Sequence, residues 1–448
     1  LDQLLLQHEE VKSMSGAEDS FPDADEFCSR VVQDRLFTPG RPIVLARAPG
    51  RLDVLGGIAD YSGSLTLTLP LAAAALAAAQ LHSDGRLVAV SGERRIELGT
   101  DELAAASLET LAHRFSGRDA WAAYVVGPVA LLAHEEQVTL PGLRLLISSD
   151  VPEGKGVGSS AAVEVAVLQA LSACFGRRLE PDRLALLGQR TEQLFAGAPC
   201  GVMDQMTAIC GQRSQLLELL CRPAEVVDSV PLPSPLAVWG IDSGVCRTVA
   251  GGNYRRVRCA AFMGKALLGC GNEYLAELDP SQIDPERLPE QLSGEEFLRL
   301  CGRVDDPVCA VEPHVFYPVR AATLFPLEEQ KRVHRFVELL ALPVGTGRAR
   351  LLGELMYASH LGYSLCGLGA NTTDELVEAI REAGWKRGLV GARISGGGGG
   401  GTVVVLGRED AEPLVRQIAD ELGAGLMAGS SAGAASFGVR TLANGYPS

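Results

Sequence analysis

The stretch Val151 to Glu164, VPEGKGVGSSAAVE, narrows the choice of fold more than any other. Gly154, Gly156 and Gly158 stand at alternate positions, and glycine lets the backbone take positive φ and lets a ligand approach where a Cβ would block it. The preceding run LRLLIS (Leu143 to Ser148) is apolar and rich in β-formers, and the following SSAAVEVAVLQALSACF has the small and apolar residues of a buried helix. Strand, glycine loop and helix are therefore expected in that order. Such a loop turns unpaired N–H groups and the positive end of a helix dipole on one point, which suits a phosphate. A tight turn with a Ser N-cap has the same local pattern.

The spacing excludes several nucleotide folds. A dinucleotide fold requires G-x-G-x-x-G, a crossover helix and a second strand ending in an acid; this loop reads G-x-G-x-G, and a second helical stretch, PDRLALLGQRTEQLF, follows the first. A Walker loop places its Lys directly before Ser or Thr, whereas Lys155 is followed by Gly156. The H-R-D and D-F-G motifs of protein kinases do not occur downstream.

At 448 residues the chain is long enough for two domains. The prolines between Pro223 and Pro235 mark the expected boundary: an extension over 1–40, mobile or docked on the surface, a first domain over 41–228 and a second over 229–448. A formal charge of −15 argues against a nucleic-acid partner, which needs a basic face, but leaves small nucleotides as ligands. LTLTLPLAAAALAAA (Leu65 to Ala79) is too short and Pro-interrupted to span a bilayer, so no membrane partner is expected. Eleven cysteines without a C-x-x-C pair indicate neither a disulfide framework nor a zinc ribbon. With no signal-like opening segment, a reducing cytoplasm is expected.

Three other stretches carry polar residues in unusual surroundings. IVLARAPGRLDVLGGIADYSGSLTLTLPL has two β-like runs (Ile43 to Ala48, Leu65 to Leu69) around a turn-rich middle holding Arg51, Asp53 and Asp60; a polar ligand site and an Arg–Asp pair stitching a hairpin both fit. AGAPCGVMDQMTAICG holds one acid, Asp204, either a helix N-cap or a catalytic carboxylate. LVGARISGGGGGGTVVVLG sets six glycines between two β-like runs, as expected where a ligand or a neighbouring loop comes close to the backbone. Trp121 and Tyr124 lie in a helical stretch, near its apolar side. Anion donors, a carboxylate to orient or deprotonate an acceptor hydroxyl, a cation and a Mg²⁺ ligand set are what phosphoryl transfer requires.

The stretches APGRLDVLGGIADYSG, VPEGKGVGSSAAVE and GARISGGGGGGTV resemble, in order and separation, the three motifs of the GHMP small-molecule kinases. The first of them, with FAGAPCGVMDQ, is similar to the galactokinase branch, and within it to the members that phosphorylate L-arabinose. The resemblance runs from about Ile43 to GSSAGAASFG near the C-terminus. It implies an α+β fold of two domains, the first mixed α/β and the second with an antiparallel sheet, and an active site in the cleft between them. Carried over, Asp204 is the catalytic carboxylate and Arg51 the cation beside it. Ser160 and Glu192 hold Mg²⁺, and Gly154, Lys155, Gly156, Val157, Gly158, Ser159 and Ser160 hold the phosphates of ATP. Asp60, Gly57, Ile58, Gly201 and Tyr254 line the sugar, while Trp121 and Tyr124 stand near the adenine. Cys246 and Arg247 receive no role.

One departure bears on the substrate. Galactokinases carry Glu-His where this chain has Gly57 and Ile58, and in that family those side chains read the 6-hydroxymethyl group. L-Arabinopyranose has the hydroxyl configuration of D-galactose without the sixth carbon, so an apolar residue opposite C5 is chemically sensible; packing of Ile58 in the core is the plainer alternative. The expected activity is phosphorylation of the anomeric hydroxyl of L-arabinose by ATP. A galactokinase or galacturonokinase with altered recognition at C6, and a non-catalytic sugar sensor, are the alternatives. Oligomeric state is not legible.

Overall fold

The computed structural model describes residues 20–245, 252–271, 273–343, 345–443 and 446–447. Its strands are β1 (Ile43–Leu55), β2 (Leu65–Leu81), β3 (Arg86–Ser91), β4 (Arg94–Gly99), β5 (Leu143–Ser149), β6 (Gln215–Leu220), β7 (Glu225–Pro231), β8 (Leu236–Asp242), the two-residue pair β9 (Leu292–Ser293) and β10 (Phe316–Tyr317), β11 (Leu389–Ile394), β12 (Thr402–Arg408), β13 (Gly425–Met427), β14 (Arg440–Ala443) and β15 (Tyr446–Pro447). One sheet runs β15-β14-β1-β2-β5-β3-β4 with β6 and β7 continuing from β2, and a second runs β11-β12-β8-β13. Pairing is antiparallel throughout the second sheet, and in the first sheet β3 and β5 are parallel. The chain's end returns to the first sheet, where β14 pairs with β1.

Helices α1 (Pro22–Gln33), α2 (Thr100–Ala105), α3 (Leu108–Ala112), α4 (Ala123–Glu135), α5 (Ser159–Cys174), α6 (Pro181–Phe195) and α7 (Met203–Cys210) belong to the first half. Helices α8 (Gly252–Leu267), α9 (Gly294–Cys301), α10 (Val319–Leu340), α11 (Thr346–Leu365), α12 (Asn371–Ala383), α13 (Glu412–Glu421) and α14 (Ala434–Phe437) belong to the second. Helix α5 packs on β1 and β2, and α11 and α12 pack on β11.

Two predicted runs extend further than their sequence suggests. The Ala-rich stretch after Leu69 continues as strand to Leu81, although alanine is a poor β-former. Tertiary context overrides that propensity: β2 lies between β1 and β5, and its methyl-sized side chains let α5 lie close against it. Strand β1 likewise continues to Leu55, so Arg51 and Asp53 sit in the strand rather than in the turn beyond it. Register shifts between Pro49 and Arg51, where β2 carries the surplus residues, and between Asp53 and Leu55, where β1 carries one, break the regular pairing of the two strands.

The described part of the expected extension is docked. Phe27 and Val31 of α1 are buried with Leu45, Leu76 and Leu442, and full burial of one such side chain stabilises by roughly 1.5–3 kcal/mol. No helix among the described residues is long and apolar enough to cross a membrane.

Candidate active site

Strand β5, the glycine loop and α5 follow in the predicted order. Gly154, Gly156 and Gly158 all have φ of +72°, where a β-carbon would crowd the following carbonyl by roughly 1–2 kcal/mol. Gly158 is the N-cap of α5, and no side chain caps that end; Ser159 begins the helix instead of capping it. The positive pole of a helix of 16 residues is thus directed at the pocket.

The loop is pinned from both halves of the chain. The Lys155 ammonium turns to Asp242 at 3.0 Å, and its carbonyl accepts from the Thr402 hydroxyl at 2.8 Å. Val157 is fully buried, and its carbonyl accepts from Arg51 N at 2.8 Å. Lys155 and Val157 therefore shape the loop, while Gly154, Gly156, Gly158, Ser159 and Ser160 line the pocket.

Asp204 lies in the first turn of α7, whose N-cap is Val202, so its carboxylate is not a cap. It takes Arg51 in a fork, Nε to Oδ1 at 2.8 Å and Nη2 to Oδ2 at 2.7 Å. Arg51 also donates from Nη1 to the Gly156 carbonyl at 2.5 Å, joining the ion pair to the glycine loop. Arg51 stitches no hairpin. Its neighbour Asp53 pairs with Arg393 at 3.1 Å, both side chains fully buried. Burial opposes the charge on Arg51, but Asp204 and Asp53 outweigh it and hold the guanidinium above its ordinary pKa.

Asp60 and Tyr254 line the same pocket, as do Gly57 and Ile58. Ile58 also belongs to a hydrophobic core, so core packing and pocket wall are both true of it. Gly201 stands behind the wall: a Cβ there would overlap the Asp60 carboxylate. Burial, reinforced by Asp204, pushes Asp60 up to about 7. Ser160 donates its hydroxyl to Glu192, and burial, then Asp204, raises Glu192 above the usual carboxylate range. Behind it Glu164 is raised further by burial and by Glu192.

Burial is the main reason these carboxyls are raised, and the neighbouring carboxylates add to it. Hard oxygen donors from Ser160 and Glu192 beside a phosphate loop fit Mg²⁺, which takes one or two protein ligands and fills its octahedron with phosphate oxygens and water. Among the described residues no three His, Cys, Asp or Glu side chains group as a metal cage.

Trp121 and Tyr124 are not among the pocket's lining residues. Trp121 lies beneath Arg94, whose Cζ is 5.6 Å from the ring centroid. Burial and the Glu192 charge raise the Tyr124 phenol. The pocket adds Ala198, Cys200, Met203, Gly396 and Gly397, of which sequence reading anticipated only the glycine run as a region. It also missed Arg258, fully paired with Asp306 through bonds of 2.8 and 2.7 Å and donating to the carbonyls of Pro199 and Cys200 at 2.9 and 3.0 Å. No local pattern marks an arginine that acts on a loop 58 residues away. Cys246 and Arg247 lie outside the described residues.

Residues 123–212 match the family described as GHMP kinases N terminal domain, and residues 336–425 match GHMP kinases C terminal. The chain is 35% identical over 450 residues to the L-arabinokinase of Arabidopsis thaliana, covering 83% of this chain and 43% of that protein. It is 36% identical over 222 residues to the galactokinase of Roseiflexus sp. (strain RS-1), covering 49% of this chain and 54% of that protein. The chain thus spans about half the length of the curated relatives it matches. Among solved structures, Lactococcus lactis galactokinase complexed with galactose superposes with a TM-score of 0.70 at 21% identity, covering 92% of this chain and 98% of that one. The mevalonate kinase of Methanococcus jannaschii superposes with a TM-score of 0.57 at 14% identity, covering 86% and 98%. Both likenesses concern the fold.

Proposed function

The chain belongs to the GHMP kinases, carrying that family's N-terminal and C-terminal domains in order, and on that premise we propose that it is an ATP- and Mg²⁺-dependent sugar 1-kinase making β-L-arabinose 1-phosphate. The observation that carries this reading is the Arg51–Asp204 fork bound to the Gly156 carbonyl, which sets a carboxylate and a cation at the edge of a phosphate loop. The expected division at 228/229 would cut β7, which pairs with β6 of the first sheet as far as Pro231, so the division is proposed instead between β7 and β8, with the last strands returned to the first sheet.

In the proposed reaction the anomeric oxygen of the sugar forms a bond to the γ-phosphorus as the bond from that phosphorus to the leaving oxygen of ADP breaks. Asp204 orients the anomeric hydroxyl and accepts its proton. Arg51 stabilises charge that shifts during transfer, and the glycine loop with the N-terminus of α5 holds the phosphates. Mg²⁺, held by Ser160 and Glu192, would neutralise phosphate charge when bound. Asp60 and Tyr254 position the sugar hydroxyls.

The wall at Gly57 and Ile58 presents neither a polar group for a 6-hydroxyl nor a cation for a 6-carboxylate. A site built to bond a hydroxyl rejects its absence by roughly 10⁴ or more, and this wall has no such reader. Trp121 and Tyr124 remain candidates for the adenine side. A coupled assay of ADP release with L-arabinose, D-galactose and D-galacturonate tests the proposal: L-arabinose is expected to have the highest kcat/KM. Preference for either of the other sugars would refute the reading of the wall, and no turnover of any sugar would favour a sensor.

A further inference from the structure

Tyr363 of α11 is fully buried and holds two pocket-lining segments at once. Its hydroxyl accepts from Ile58 N at 3.0 Å and donates to the Gly396 carbonyl at 2.6 Å. The same hydroxyl fills the space a side chain at 57 would enter: a Cβ there would overlap it, and would lie 2.8 Å from Asp53 Oδ2 and 2.9 Å from Arg393 Nη2. Gly57 has φ of +50°, so its backbone is already in the region that favours glycine. The Tyr363 ring is itself fixed, with Arg393 Cζ 4.9 Å from its centroid and Phe325 edge-on at 5.4 Å. The glycine run accommodates it too, since a Cβ at Gly398 would stand 3.0 Å from Tyr363 Cδ1.

We propose that Tyr363 is a positioning residue that sets the sugar-facing wall from behind, fixing Ile58 against the glycine run and excluding any side chain at position 57. Gly57 and Tyr363 form a matched pair. Selectivity for a sugar without a sixth carbon is then maintained by a residue that does not touch the sugar; this rests on the sugar-kinase reading above. A polar side chain cannot be installed at 57 alone to recover recognition of a 6-hydroxymethyl group, because Tyr363 occupies its path.

The test is a two-by-two set of the wild type, Tyr363→Phe, Gly57→Ala and the double variant, assayed for kcat and for sugar and ATP KM with L-arabinose and D-galactose, and for thermal unfolding. Tyr363→Phe leaves two buried backbone groups without their partner, and sugar KM is expected to rise roughly tenfold while ATP KM stays within about twofold, a split that general loosening would not produce. Gly57→Ala is expected to raise sugar KM further, roughly 100-fold, and the double variant to lose less than the product of the singles, because the overlapped hydroxyl is gone. If Gly57→Ala fails to fold alone but folds in the Tyr363→Phe background, the pairing is equally supported. A wild-type sugar KM in Tyr363→Phe, equal rises for sugar and ATP, or multiplicative losses would overturn the proposal. A wild type preferring D-galactose would refute the choice of sugar while leaving the KM split to be read with galactose. If no sugar is turned over, the function proposal fails, and additive Tm shifts across the four proteins would overturn the pairing separately.

Discussion

Replacing Asp204 by Asn removes a charge from the fork while keeping the side chain's size. Arg51 is 4% exposed and Asp204 21%, so the pair is buried on one side and open to the pocket on the other. An amide accepts only one of the two bonds at 2.8 and 2.7 Å and turns an N–H donor toward the other guanidinium donor. Breaking a buried pair by removing one partner costs about 3–5 kcal/mol. Here Arg51 keeps the Gly156 carbonyl and the nearby charge of Asp53, and the open side is screened by water, so a loss of about 1–2 kcal/mol is expected. Differential scanning calorimetry should register that as a Tm fall of about 2–5 °C. Turnover should suffer far more: loss of a positioned proton acceptor lowers kcat by about 10²–10⁴, with sugar KM changed by no more than about threefold. The contrast between a small stability loss and a large kcat loss is the signature. A folded Asp204→Asn enzyme with kcat within tenfold of wild type would refute the base role, and an Asp204→Ala enzyme with near-normal turnover would refute the orienting role as well. A solvent deuterium isotope effect on kcat that disappears in the variant would separate proton acceptance from orientation.

Asp60 ties stability to pH. Its folded pKa of about 7 lies above the ordinary 3.8, so the stability contributed by its neutral form is fully present below about pH 4 and is lost as pH rises through about 7, up to ~4 kcal/mol in all. Asp60→Asn should therefore gain in Tm relative to wild type between pH 5 and pH 8, and a constant difference across that range would contradict the shift. Arg258→Ala strips a buried pair whose side chains are 7% and 2% exposed and frees the carbonyls of Pro199 and Cys200. Chemical denaturation should show a loss of about 3–5 kcal/mol. Glu192→Gln should raise the Mg²⁺ concentration for half-maximal activity by about 10–100-fold with little change in sugar KM; an unchanged Mg²⁺ titration would remove Glu192 from the ligand set. Lys155→Ala, which loses only the contact to Asp242, should lower stability by no more than about 1 kcal/mol, and a large rise in ATP KM would show that Lys155 leaves Asp242 for the phosphates.

Local features of the site were legible because they are written in backbone conformation and hydrophobic period. Three alternate glycines between a β-rich run and a small-residue helix can satisfy few other arrangements, and all three take the φ that glycine permits. The six-glycine run was recognisable as a place of close approach, and Gly396 N does reach Asp53 Oδ2 at 3.1 Å. Local pattern did not tell which acid meets Arg51; only the family resemblance set it beside Asp204, where the fork is found. Asp53 and Asp60 are its near neighbours in sequence, yet Arg51, beside an irregular stretch of β1–β2 pairing, meets an acid 153 residues away. Trp121 and Tyr124 were carried over by resemblance alone, and a nearby aromatic on a helix has no signal that separates a ligand platform from a packed ring.

The sequence by itself determined the order of elements, the phosphate-suited loop and the loss of polarity at Gly57 and Ile58, since each depends on residues adjacent in the chain. Tertiary structure decided the partners, of which the family resemblance had named only Arg51 and Asp204. Arg51 with Asp204, Arg258 with Asp306, and Tyr363 with an amide 305 residues away depend on how two sheets and their helices pack, and packing is a property of the whole chain. Glycine at 57 shows the division: sequence reports that the side chain is missing, and only the fold reveals the phenol that stands in its place.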